Sequence, residues 1–191
     1  ESVLKAAHDD AAHARAHGAP TGVVQAIALG RTDLESKARL AATLAGLPEP
    51  IGRIESTWIR PNGLKIEKTR VPLGVVAVLV EYDVRAVADA VLLCAKAGDA
   101  VVLGAGPMVY RTCRAIARAL GAAALPTQVP IGPLYLIPGH DAEARRALVT
   151  QREGVDVVIP VGSPAWVETI GMESCVPVLG QTSRRHHVYV D

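Results

Sequence analysis

The spacing of hydrophobic and polar residues predicts helices for the first part of the chain. Over residues 1–50 apolar residues, many of them alanine, recur at helical intervals among charged neighbours. One helix is predicted from Ser2 to His17, where Gly18 ends it. A second is predicted over RTDLESKARLAATLAG, in which Thr32 and Glu35 match a capping box. We expect residues 1–50 to form packing helices.

Residues 51–71 show a different pattern, which is typical of a two-stranded ribbon. The stretch RIESTWIRPNGLKIEKTR has β-prone residues on both sides of an Asn-Gly pair, a strong hairpin signal. Neither face of the ribbon is purely apolar, and an isolated hairpin is not stable in water. We therefore expect it to pack on another chain or domain, with Trp58 favoured as an interface residue.

From residue 72 onward short apolar runs alternate with helical patterns. This alternation is typical of right-handed βαβ units and of a mostly parallel sheet that is covered on both faces. The predicted fold class is α/β with a Rossmann-like sheet. The predicted strands are GVVAVLV, AVVLGAG, LYLIPG, VDVVIPVG and VPVLG, and the helices between them are VRAVADAVLLCAKAG, MVYRTCRAIARALG, DAEARRALVT and SPAWVETIG.

Ligands of such sheets bind beyond the carboxyl ends of the strands. Two of the predicted strand ends place glycine and backbone amides next to a helix start, an arrangement that favours a phosphate or a ribose. The Gly-Ala-Gly of residues 104–106 lacks the rest of a dinucleotide fingerprint, so nucleotide binding and a purely structural turn both remain open. The five predicted ends are Glu81-Tyr82, residues 104–106, Pro138-Gly139, residues 161–163 and Gly180-Gln181.

Composition and charge exclude several classes of partner. The chain has 20 basic and 19 acidic residues, and only 3% of its residues are aromatic. Neither an electrostatic footprint nor a stacking platform for nucleic acid is indicated. The longest apolar run, Val71 to Val80, is too short to span a bilayer, and no signal segment opens the chain. Three widely spaced cysteines favour a reducing, cytoplasmic location.

The histidines do not form a convincing metal site. His186 and His187 are neighbours on a predicted strand, so their side chains point to opposite faces. His13 and His17 lie one helical turn apart and would need a third ligand. An exposed helix with scattered histidines is the more ordinary interpretation, and we predict no metal.

Several motifs resemble those of the γ-glutamyl phosphate reductases, also called glutamate-5-semialdehyde dehydrogenases, of the aldehyde dehydrogenase superfamily. The resemblance is carried by PNGL, VPLGVV, the DA..LC.K.G.A pattern of the first βαβ unit, and HVYVD. It extends from about Lys5 to Asp191, and it is close over PIGRIESTWIRPNGLKIEKTRVPLGVVAVLVEYDVRAVADAVLLCAKAGDAVVL and over VDVVIP with VPVLGQTSRRHHVYVD.

The resemblance implies a function and a domain organisation. It implies an NADP-dependent reduction of an acyl phosphate to an aldehyde through a cysteine thioester, in proline biosynthesis. It also implies that residues 1–50 belong to the cofactor domain, that the 51–71 hairpin bridges subunits of a homo-oligomer, and that residues 72–191 bind the nucleotide. The catalytic domain is expected to be absent from this chain, because the family nucleophile lies beyond Asp191. None of Cys94, Cys113 and Cys175 matches it, so no catalytic residue is predicted.

The chain departs from the family motifs at the strand ends. Glu81 is kept, but the family's LRGG reads LGAG here and its IPRGG reads IPVGS, so that two arginines are lost. Near the end Gly180 stands in place of a glutamate, and Arg184 and Arg185 replace small residues. The residues that we predict to contact the cofactor are Glu81, Gly104, Ala105, Gly106, Gly162 and Ser163.

Two hypotheses follow. The first is the cofactor-binding half of a γ-glutamyl phosphate reductase or a close paralogue, which takes an acyl phosphate. The second is a catalytically inactive subunit that keeps the fold and the hairpin and acts in binding or assembly.

Overall fold

The computed structural model describes residues 1–124, 134–151 and 153–180. Within these residues the chain forms seven helices and six strands, and none of these helices is both long and apolar enough to cross a membrane. The helices are α1 (Ser2–Ala16), α2 (Thr21–Ile27), α3 (Arg31–Gly46), α4 (Arg85–Lys96), α5 (Tyr110–Ala124), α6 (Ala142–Thr150) and α7 (Pro164–Glu173). The strands are β1 (Ile54–Ile59), β2 (Lys65–Thr69), β3 (Val75–Val80), β4 (Ala100–Ala105), β5 (Leu134–Leu136) and β6 (Val157–Val161).

Four of the strands form one parallel sheet in the order β5-β4-β3-β6. The central strand β3 is buried on both faces, as its unbroken run of apolar residues predicts. Val76, Val78 and Val80 point to the side covered by α1, α2, α4 and α5, whereas Ala77 and Leu79 point to the side covered by α6 and α7. The predicted α/β fold class, a parallel sheet between two layers of helices, is confirmed.

The amino-terminal helices share the core of this sheet. Ala14 and Ile27 are fully buried in the same cluster as the valines of β3. Arg85, at the start of α4, donates hydrogen bonds to the carbonyls of Ala26 and Ala28 at 3.0 and 2.8 Å and to Asp33 at 3.1 Å. Because a guanidinium stabilises the carbonyl end of a helix, this contact holds the end of α2 beside the start of α3.

The hairpin forms where the Asn-Gly signal predicted it. Strands β1 and β2 pair antiparallel, with Trp58 opposite Ile66, and Gly63 adopts a φ of +82° in the turn. Trp58 is 50% exposed and Ile59 is 74% exposed. The ribbon therefore presents apolar side chains to solvent, unlike strand β3 of the parallel sheet.

Two local predictions were wrong, and one helix was not predicted. Helix α3 begins at Arg31 after Gly30, whose N–H donates to Asp33 at 2.7 Å, so the carboxylate of Asp33 replaces the expected Thr32 and Glu35 box. Helix α2 was not predicted, because only seven residues carry its pattern. The stretch VPVLG forms a single bridge with β6 rather than a strand, because Pro177 has no N–H with which to extend the ladder.

A buried carboxylate from α1 caps helix α5. Asp10 is 1% exposed, and its Oδ2 accepts hydrogen bonds from the N–H and the hydroxyl of Thr112, both at 2.8 Å. The guanidinium of Arg111 lies 3.5 Å from the other carboxylate oxygen. This contact joins residues 102 positions apart and satisfies an amide that the first turn of a helix leaves unpaired.

We predict that Asp10→Ala lowers the free energy of unfolding by about 2–3 kcal/mol, because it leaves two buried donors of Thr112 unpaired. The neighbouring Asp9 is exposed, so Asp9→Ala is the matched control and should change stability by less than about 0.5 kcal/mol. Urea denaturation followed by circular dichroism measures both. Equal effects of the two substitutions would contradict the capping role.

Candidate functional site

A cavity of about 120 Å³ lies at the carboxyl edge of the parallel sheet. It contains Glu81, Gly104, Ala105 and Gly106, four of the six residues predicted from the sequence to bind a cofactor. The loop from β5 to α6 and the start of α6 form the opposite wall. The other lining residues are Leu79, Val80, Pro107, Met108, Ile137, Gly139, His140, Asp141, Ala144, Arg145 and Trp166.

Hydrogen bonds to Glu81 connect the end of β3 to the start of α7. Its Oε2 accepts hydrogen bonds from the N–H of Ser163 at 2.7 Å and from the Ser163 hydroxyl at 2.8 Å. Gly162 and Ser163, the other two predicted residues, do not line the cavity, but Ser163 donates to Glu81, which does, and Gly162 packs against it. Their observed role is to position Glu81, and their contact with a cofactor stays a prediction.

The glycines at this edge are required by the packing of the chain itself. A Cβ on Gly162 would lie 2.6 Å from the Cβ of Glu81 and 2.9 Å from a ring carbon of Trp166. A Cβ on Gly106 would lie 2.8 Å from the backbone oxygen of Glu81. Real Cβ atoms do not approach so closely, so these positions are restricted to glycine without any ligand.

Carboxylates occupy the helix starts at the same edge. Helices α4, α5, α6 and α7 all begin there, and each has a backbone amide of its first turn or N-cap bonded to a carboxylate of the chain. A bound phosphate normally uses such amides, and one of them at each helix start is already bonded to a carboxylate here. The carboxylates are, in order, those of Asp83, Asp10, Asp141 and Glu81.

Two residues of the cavity were not singled out from the sequence. Arg145 lies in the first turns of α6, and its buried Nε has no hydrogen-bond partner. His140 also lines the cavity, and its ring makes an edge-to-face contact with the Tyr110 ring, with the centroids 5.5 Å apart. In the sequence DAEARRALVT both arginines fit the pattern of an exposed helix. The sequence signal that could have pointed to Arg145 is its closeness to the end of the preceding strand.

None of the three cysteines lines the cavity. Burial, reinforced by Asp99, raises the pKa of the Cys94 thiol to about 11. Burial, reinforced by Asp10, raises the pKa of the Cys113 thiol to about 12. Both thiols stay protonated at neutral pH and are therefore poor nucleophiles. Cys175 is exposed and lies outside the cavity.

The histidines give no metal cluster in the described part of the chain. His13 and His17 stack with ring centroids 4.1 Å apart, and the Nδ1 of His17 donates to the carbonyl of His13 at 2.8 Å. Across residues 1–124, 134–151 and 153–180 no group of three histidine, cysteine, aspartate or glutamate side chains is arranged to hold an ion. The rewritten motif at residues 181–191, with His186 and His187, lies outside the described residues.

Known structures place the chain in a fold class. It superposes on a γ-glutamyl phosphate reductase of Thermotoga maritima with a TM-score of 0.87 and 26% identity, over 93% of this chain and 43% of that one. It superposes on an aldehyde dehydrogenase of Mycobacterium tuberculosis, solved with NAD⁺, with a TM-score of 0.62 and 20% identity, over 94% and 38% of the two chains. The fold is that of the aldehyde dehydrogenase superfamily.

Sequence comparison identifies a particular family within this superfamily. Over 190 residues, 99% of this chain, it is 37% identical to a γ-glutamyl phosphate reductase of Afipia carboxidovorans. The resemblance to γ-glutamyl phosphate reductases that the motifs indicated is thereby confirmed. The chain spans 44% of the length of that relative. No protein-family model matches the chain.

We predict that Gly162→Ala lowers the free energy of unfolding by about 1–3 kcal/mol, because the new methyl group overlaps Glu81 and Trp166. Gly171 lies in α7 with open space around its Cα, so Gly171→Ala is the control and should be neutral or stabilising by up to about 1 kcal/mol. Thermal and urea unfolding measure both variants. A Gly162→Ala protein as stable as the native one would refute the packing constraint.

Proposed function

We propose that this chain is the cofactor-binding portion of an NADP-dependent reductase of the γ-glutamyl phosphate reductase type. The proposed reaction converts γ-glutamyl phosphate, an acyl phosphate, to glutamate 5-semialdehyde and phosphate, in proline biosynthesis. The observation that carries the proposal is the 37% identity to such a reductase over nearly the whole chain. A cytoplasmic location is also proposed, supported by three cysteines that form no disulfide.

The residues of the cavity fit part of a nicotinamide dinucleotide. Ligands of parallel sheets bind at the carboxyl edge, where this cavity lies. A volume of about 120 Å³ is smaller than the roughly 300–1,000 Å³ of complete ligand pockets, so it would hold one end of the cofactor. The buried, unpartnered Nε of Arg145 is a donor suited to an anionic group.

The described residues are assigned binding and positioning rather than covalent chemistry. When bound, NADPH supplies a hydride. Gly106 and Glu81 would set the shape of the pocket. The hydrogen bond from Ser163 to Glu81 would keep that shape fixed. Since none of the three thiols reaches the cavity, the thioester chemistry is not assigned to them. No described contact favours the alternative of an inactive assembly subunit.

Titration of the purified chain with NADPH tests the proposal. We expect binding in the roughly micromolar to millimolar range typical of enzyme ligands, read by cofactor fluorescence or calorimetry. Binding is the appropriate readout because the assigned role is binding. A folded chain that takes up neither NADPH nor NADH at about 1 mM would overturn the proposal.

We further propose that the chain forms a homo-oligomer through the 51–71 hairpin. The support is the exposure of apolar side chains on a ribbon of only two strands. Trp58 and Ile66 lie opposite each other on one face, at 50% and 36% exposure. Large aromatic residues at such positions commonly anchor interfaces.

Trp58→Arg should therefore shift the chain towards a monomer, because a charge replaces the apolar anchor of the proposed interface. Thr57→Arg adds the same charge to the other face of the same strand and should leave the assembly unchanged. Light scattering coupled to size-exclusion chromatography gives the mass of each. A native chain that is monomeric at high concentration, or equal masses for the two variants, would argue against this interface.

A further inference from the structure

Arg145 occupies a position that is unfavourable for a cation in the absence of a ligand. It is the fourth residue of α6, where the positive end of the helix dipole repels a positive charge. Its Nε is also buried without a hydrogen-bond partner, although buried donors in native proteins are nearly always paired. Two separate costs thus fall on one side chain that lines the cavity. An anion bound in the cavity would relieve both.

The nearby carboxylates do not serve as that anion. Asp141 uses its Oδ1 to cap α6 through the N–H of Ala144 at 2.7 Å, and Glu81 uses its Oε2 to hold Ser163. No carboxylate of the described residues lies within 4.0 Å of the Arg145 guanidinium. Both carboxylates lie at helix starts, where the dipole offsets part of their charge. Among the described residues that line the cavity, the guanidinium of Arg145 is therefore a cation without an ion-pair partner.

A phosphate is the group that this site suits. A guanidinium presents a planar fork of N–H donors that matches the oxygens of a phosphate in two parallel hydrogen bonds. In dinucleotide-binding α/β folds an arginine near the strand ends accommodates the 2′-phosphate that distinguishes NADP from NAD. The pyrophosphate, by contrast, normally binds the amides of a helix start, which need no arginine.

We propose that Arg145 binds the 2′-phosphate of NADPH and gives the cavity its preference for the phosphorylated dinucleotide. The inference rests on the proposed function, because it assumes that a nicotinamide dinucleotide binds in this cavity. His140 also lines the cavity, and a ring N–H of this residue would be a second donor to the phosphate.

Dissociation constants of NADPH and NADH for the native chain and two variants test the proposal. Arg145→Met should weaken NADPH binding by about tenfold or more, because a charge-assisted hydrogen bond is lost, and should change NADH binding by less than about threefold. Arg146→Met removes the same charge from the adjacent, exposed position of α6 and is the matched control, with both constants unchanged. The native chain should bind NADPH more tightly than NADH.

A second variant and a stability measurement separate recognition from folding. Arg145→Lys keeps the charge but loses the fork, so its affinity for NADPH should fall between those of the native and the Met proteins. Arg145→Met should melt at the native temperature or above it, because it removes a buried donor that has no partner.

The possible results separate a failure of the Arg145 assignment from a failure of the proposed function. Equal loss of NADPH and NADH binding in Arg145→Met would mean that the guanidinium meets a group common to both cofactors and would overturn the inference. Unchanged NADPH binding in that variant, or an equal loss in Arg146→Met, would also overturn it, while leaving the proposed function in place. A native chain that binds neither cofactor would remove the proposed function as well.

Discussion

The pairing of helix starts with carboxylates at one edge of the parallel sheet is the constraint on which the candidate site depends. A parallel sheet brings the first turns of its crossover helices to the same edge, and each first turn has unpaired N–H groups and a partial positive charge. In the described chain the carboxylates of Asp83, Asp10, Asp141 and Glu81 meet these groups. One N–H donor at each of these four helix starts is therefore bonded to a carboxylate of the chain itself.

This arrangement changes what the glycines and the cations at the edge do. Gly106 and Gly162 are restricted to glycine because Glu81 packs against them, so the packing of the chain alone explains both residues. Among the described side chains that line the cavity, Arg145 has a buried donor, its Nε, without a hydrogen-bond partner.

Local sequence signals predicted the elements well. The Pro61-Asn62-Gly63 turn fixed the hairpin, and unbroken valine runs identified β3 as a central strand buried on both faces. The carboxyl ends of the four parallel strands fell where the sequence placed them, and four of the six predicted cofactor residues line the cavity. Glycine turns and apolar runs act over a few residues, which is why these features can be read from sequence.

Contacts between distant residues could not be predicted in this way. Asp10 meets Thr112 across 102 positions, and Glu81 meets Ser163 across 82. Neither pairing has a local signature, so the caps of α5 and α7 were not foreseen. Arg145 was missed for the same reason, because its burial depends on the loop after β5 and on α6 lying against the ends of β3 and β4.

The most direct test of the account is a nuclear magnetic resonance titration of the labelled chain with NADPH. We expect the side-chain Nε–H signal of Arg145 and the amides of residues 104–106 to shift. The amides of Thr112 and Ser163, which are bonded to carboxylates, should keep their positions. Large shifts at Thr112 and Ser163 with none at Arg145 would show that the ligand displaces the carboxylates, contrary to the account.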